Sequence, residues 1–160
     1  MSSSNSRYVI PASSKPVISL QEYGVADHIP AERMVAALDD RGVLLNGEPI
    51  ELYQGMGQTG VNYVRGTDLL KAIAGDTSIL PLNISVLVFM IANPEFASAF
   101  GGKVTQVIFP GTVFVGKKDG LQYFWGMIKG PDGWTMFNHP TSMEYNKGTA
   151  LAVLRIKKKT

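Results

Sequence analysis

The stretch YQGMGQTG, residues 53–60, sets Gly55, Gly57 and Gly60 at the G-x-G-x-x-G spacing of a phosphate-binding loop. That chemistry needs glycines that turn tightly into a helix, so that backbone N–H groups and the positive end of the helix dipole meet the phosphate. Here a β-prone run, VNYVRG, follows instead, and the first helix signal comes only at Thr67. No carboxylate stands in residues 79–82, where a ribose partner is expected, and no Gly-Lys-Ser/Thr completes a Walker pattern. The glycines therefore read as a connecting loop. The alternative is a smaller anion site, with Gln58, Thr59, Arg65 and the helix start at Thr67 converging on one phosphate or carboxylate. Against it stands Arg65 pairing with Asp68 or facing solvent.

His28 and His139 are the only histidines, and there is no cysteine. Thiolate zinc sites, cysteine nucleophiles and disulfides are thereby excluded. Asp27, His28 and Glu32 are close enough in sequence for an acid–base or metal cluster, but neighbouring residues rarely aim at one ligand. Capping of a helix that starts at Pro30 is the simpler role. His139, Ser142 and Glu144 share one segment, and nucleophilic catalysis needs base and orienting acid on rigid supports that a loop lacks. No catalytic residue, cofactor motif or metal-ligand set emerges.

Two surfaces remain for recognition. Trp125, Trp134 and Phe137, together with Tyr123 and Phe124, fall on runs that read as neighbouring strands, and if exposed they can anchor a protein partner or stack on bases. Trp134 is the leading candidate, because it follows a Gly130–Gly133 turn. At the C-terminus, Arg155, Lys157, Lys158 and Lys159 supply four of the fifteen positive charges, leaving eleven against thirteen acids elsewhere. A slightly acidic body with a basic tail argues against a broad electropositive face. Nucleic-acid binding through the tail is then weak and salt-dependent.

These residues must be positioned by one domain, since 160 residues at 45% hydrophobic content support a single core. Residues 1–16 carry six serines and two prolines and read as an arm with too little apolar surface to order alone. The domain spans 17–156, opening with a short strand over 17–20, and a basic tail, 157–160, closes the chain. Ala31, Met34, Val35 and Leu38 fall on one face of a helix that starts at Pro30, with Gly42 just past its end at a left-handed stop. Asn46-Gly47 predicts a type I′ turn joining Val43-Leu44-Leu45 to residues 50–53, with Pro49 marking an edge strand. Thr67 caps a helix to Ala74 that Gly75 ends, and Asn93-Pro94 opens another to Phe100. Between them, residues 82–92 carry β-branched residues that favour a strand, while their length and a start at Pro81 favour a buried helix, the reading adopted.

From Lys103 the pattern turns to β: KVTQVIF, TVFV, LQYFWGMI, GWTMFN and TALAVLRI, read as an antiparallel meander broken at PG, GKKDG and KGPDG. In LQYFWGMI both faces are apolar, which places that strand centrally, covered by helices on one side at least. The expected fold is α+β, with N-terminal helices and a β-hairpin against a C-terminal antiparallel meander. Without a signal-like start or a spanning apolar run, a cytoplasmic location with no membrane contact is expected. The expected function is a non-catalytic protein-interaction or assembly module, by a protein partner or self-association. The alternatives are nucleic-acid binding by tail and aromatics, or a small-ligand or enzyme site near residues 55–65 or His139.

Overall fold

The computed structural model describes residues 7–10, 23–29, 34–40, 42–54, 63–100, 104–145 and 148–155. The molecule is a mixed α+β protein built on antiparallel-rich sheets with a few helices. The strand expected over 17–20, the glycines at 55, 57 and 60, Gln58, Thr59 and the three tail lysines lie outside the described residues.

A four-stranded sheet is formed by β1 (Arg7–Ile10), β3 (Met34–Asp39), β4 (Gly42–Leu45) and β5 (Glu48–Pro49), in that spatial order. The helix expected between Pro30 and Gly42 is therefore corrected: Met34–Asp39 is a strand pairing antiparallel with β4, from Ala36 opposite Leu45 to Asp39 opposite Gly42. A run such as MVAALD satisfies a period of two as well as 3.6. The turn partner decides between them. Asn46 accepts from the Val35 N–H through Oδ1 at 2.8 Å and donates its own N–H to the Val35 carbonyl at 2.9 Å. Gly42, at φ +100°, closes the β3–β4 turn instead of stopping a helix. Asn46 and Gly47 hold φ of 52° and 83°, the two positive values of the expected turn. The hairpin's second arm is only β5, a two-residue edge strand holding Pro49, because β6 (Glu51–Tyr53) leaves for the larger sheet.

That sheet runs β11 (Gly133–Pro140), β10 (Gln122–Gly130), β9 (Gln106–Gly116), β13 (Thr149–Arg155), β6, with β2 (Tyr23–His28) on β9 and β8 (Ile79–Pro81) on β13. Two features of the expected meander are corrected. First, β13 pairs with β9 in parallel, Thr149 opposite Gln106 and Leu151 opposite Ile108. The chain makes that crossover through residues 141–148, which carry β12 (Glu144–Tyr145) against β7 (Val64–Arg65). Second, Pro110-Gly111 is no turn but the middle of the eleven-residue β9. Proline donates no ladder hydrogen bond, and Gly111 bonds sideways, its N–H to the Leu82 carbonyl at 2.8 Å and its carbonyl from the Ile29 N–H at 2.7 Å. A Cβ at Gly111 would sit 2.7 Å from the backbone of Leu82 and Pro81, so only glycine admits that approach. Inward alternation slips by one residue here: Val107 and Phe109 face one core, and so does Phe114, while Ile108 and Val113 face the other.

Both faces of the sheet are covered, which explains the two-sided apolar reading of LQYFWGMI. On one face α2 (Ile84–Ala92), α3 (Pro94–Ser98) and the small sheet bury Phe109, Phe114, Met127, Leu87, Met90 and Phe96. On the other, α1 (Gly66–Ala74) presents Leu69 and Ile73 to Ile108, Val113, Phe124, Leu151 and Val153. The helices expected at 82–92 and after Asn93-Pro94 are thus present, the first capped by Asn83, whose Oδ1 accepts from the Ser85 N–H. Pro81 closes β8 rather than opening that helix. The cap of α1 is corrected: it is Arg65, two residues before Thr67, and makes no side-chain cap. Gly66 is fixed there by its N–H bond to the Met143 carbonyl at 2.9 Å. Gly75 ends α1 with φ −82°, in the right-handed region.

Candidate functional site

The aromatic set divides between the two faces. Trp125 and Trp134 are half-buried against the larger core, Trp134 edge-on to Phe100 at 6.4 Å and Trp125 beside Phe114 and Tyr23 at about 6 Å. Phe137 is half-buried on the opposite face. Beside Trp125, Tyr23 stands edge-on to Tyr123 at 5.2 Å and accepts from Asn138 Nδ2 at 3.0 Å. The Tyr123 hydroxyl donates to Asp119 Oδ2 at 2.5 Å, and that bond pushes the phenol up to about 12 while holding the Asp119 carboxyl below its usual range. The large apolar side chains that do stand exposed among the described residues are Val25, Tyr63, Leu121 and Met143.

The charged candidates are engaged. Arg155 reaches Glu51 Oε2 at 2.5 Å and Asp76 Oδ2 at 3.6 Å, and donates to Ser78 Oγ at 3.1 Å, tying β13 to β6 and to the loop before β8. Arg65 lies 3.7 Å from Glu144, its register partner, rather than beside Asp68; both side chains are largely exposed. Thr67 sits one residue inside α1. Asp27 and His28 lie on β2, opposite Val113 and Thr112, with no described helix after Pro30 for them to cap. Among the described residues no group of three or more His, Asp or Glu could hold a metal ion, and no helix is long and apolar enough to cross a membrane.

His139 is the candidate the structure develops. It stands on β11, opposite Phe124 of β10, and is held on a strand rather than a loop. Its ring tilts over Phe137 at 4.5 Å and stacks toward Tyr145 at 6.1 Å and 26°. Tyr145 is 3% exposed, because its register position opposite Val64 turns it inward beside Phe124 and Leu69. Gly66 makes that approach possible: a Cβ there would lie 2.5 Å from the Thr141 carbonyl oxygen and 3.1 Å from the Tyr145 ring.

His139 and Tyr145 line a cavity of about 270 Å³ with Thr105, Gln106, Met143, Glu144 and Thr149. Most of its polar groups satisfy one another. Thr149 Oγ1 donates to Gln106 Oε1 at 3.0 Å, Thr105 Oγ1 to the Gly148 carbonyl at 3.3 Å, and Glu144 holds Arg65. Two do not: His139 Nδ1 and the Tyr145 hydroxyl are closed to solvent and have no partner among the described residues. An orphaned buried polar group costs about 1–3 kcal/mol, so each calls for an explanation. Burial lowers the His139 pKa, favouring the neutral ring, and raises the Tyr145 hydroxyl well above the ordinary tyrosine range, keeping its proton. The pair thus offers a phenolic donor beside an uncharged imidazole. Tyr145, Gln106 and Thr149 were not singled out in the sequence; the signal was the alternation in MEY, which sends Glu144 outward and Tyr145 inward once a strand is recognised.

No protein-family model matches the chain, and neither a curated protein nor a solved structure matches it.

Proposed function

We propose that the protein is a non-catalytic interaction and assembly module that adds a strand of a second copy to the free edge of β11. One observation carries this reading: β11 ends the large sheet, pairs only with β10 among the described strands, and its eight residues, GWTMFNHP, contain no Asp, Glu, Lys or Arg. Sheet edges are ordinarily blunted by brevity, charge or proline, because unpaired N–H and C=O groups template association. The other edges follow that rule. β5 is two residues long and holds Pro49, β6 has three residues, β1 carries Arg7 and β2 carries Asp27. In β11 the sole proline is its last residue.

A second copy is the partner that fits this edge. Pairing β11 with itself about a two-fold axis opposes no like charges, whereas an acidic or basic strand would find no counter-charge. The test combines sedimentation velocity with hydrogen exchange over a wide concentration range. Assembly with concentration-dependent protection of residues 134–139 is expected, and both are to be lost in Thr135→Lys, which charges an exposed position of the strand. A wild-type chain that stays monomeric, with β11 amides exchanging alike at every concentration, overturns the proposal.

A further inference from the structure

The His139–Tyr145 cavity points to a second role, independent of the β11 edge. Its wall is polar and largely self-satisfied, so the unmet hydrogen-bonding demand is concentrated on two atoms, His139 Nδ1 and Tyr145 Oη. The two rings face each other at 6.1 Å and 26°, and do not bond to one another. Glu144, the one charged residue of the lining, already faces Arg65 at 3.7 Å and is largely exposed, so the cavity supplies no buried counter-charge for a charged guest. Burying a net charge against an imidazole and a phenol with no counter-ion is unfavourable in any case. The remaining chemistry is an uncharged group that accepts a hydrogen bond at one position and donates at the next.

We propose that this cavity binds a small uncharged ligand of the primary carboxamide class. The ligand carbonyl accepts from the Tyr145 hydroxyl, and its N–H donates to His139 Nδ1, with the ring proton held on Nε2. Neither protein atom is open to bulk water, so part of the wall must give as the guest enters. Met143 is that part: it lines the cavity, is 39% exposed, and its unbranched thioether chain repositions at little cost. The volume of about 270 Å³ suits a guest of one ring plus the amide.

The test is a titration of protein labelled with ¹⁵N-histidine, using benzamide as probe and benzoate and benzylamine as charged controls of the same size. Benzamide is expected to shift the His139 imidazole nitrogens saturably, with each charged analogue binding at least tenfold more weakly. Tyr145→Phe should weaken benzamide at least tenfold without loss of fold, and His139→Gln provides a second variant should the first misfold. Running the titration on Thr135→Lys separates this site from assembly, since binding should persist in the monomer. Absence of a saturable shift would mean that a trapped water alone satisfies the pair, and equal binding of all three probes would mean that only the ring is recognised. Either result overturns the proposal.

Discussion

The two faces of the large sheet solve the same burial problem with different completeness. One is closed by α2, α3 and a whole second sheet, and its interior is filled by Phe96, Phe109, Phe114, Leu87 and Met90, each at most 1% exposed. The other has, among the described residues, a single helix, α1, and a narrower core around Leu69, Ile73 and Phe124. Where α1 ends its cover, the 141–148 crossover takes over, and there the orphaned Tyr145 hydroxyl and His139 nitrogen are found. The thicker face holds orphaned polar atoms as well, Ser85 Oγ on α2 and Trp125 Nε1 against its core. What distinguishes the thinner face is that His139 and Tyr145 line one cavity together, the arrangement a small-ligand site needs.

The largest effect that separates the faces is expected from cavities. Phe109→Ala empties a site 1% exposed within the larger core and should cost about 3–5 kcal/mol in denaturant unfolding. Phe137→Ala, half-buried on the thinner face, should cost clearly less. Equal losses would mean that the two cores are equally tight. Next in size is Gly66→Ala, whose methyl meets the Thr141 carbonyl and the Phe124 ring. Overpacking of this kind costs about 1–3 kcal/mol. Because it pushes on the crossover, the His139 imidazole signals should move as well, whereas Phe109→Ala should leave them in place.

The same contrast governs what the sequence could reveal. Asn46-Gly47 was legible because two positive φ values leave few residue choices, and the buried helix at 84–92 was favoured over a strand by the length of its apolar run. Met34–Asp39 was not, since six apolar-rich residues carry both periods and only pairing with β1 and β4 selects one. Pro110-Gly111 reads as a turn in any window that omits Leu82, whose carbonyl holds the glycine within a continuous strand. Of the site, His139 was visible by type. Its partner Tyr145 was not, because its inward turn depends on pairing with Val64, some eighty residues away in the chain.

Tyr145→Phe sharpens the comparison with a smaller effect of unusual sign. Removing a buried hydroxyl that has a good partner destabilises, but removing one that lacks a partner relieves its desolvation. In the ligand-free protein this variant should therefore be neutral or more stable, by about 1 kcal/mol in thermal or denaturant unfolding. A clear loss of stability would show that the hydroxyl is already satisfied, by water held in the cavity.

The smallest effect is a pH dependence confined to the thinner face. Burial lowers the His139 pKa in the folded protein, so across the window between the folded and unfolded values the unfolded chain binds more protons. Stability is then fully present above the ordinary histidine range, about 6.5, and falls as the pH drops through that range toward the lower folded value. Below the folded value the contribution is flat again. The Arg65–Glu144 pair beside the cavity is too exposed to contribute much. Urea midpoints measured from pH 7.5 down to 5 should therefore decline in the wild type and decline less in His139→Gln, with the difference between the two curves growing as the pH falls. If the two curves stay parallel, His139 is solvated in the folded state and the closed cavity wall is not there.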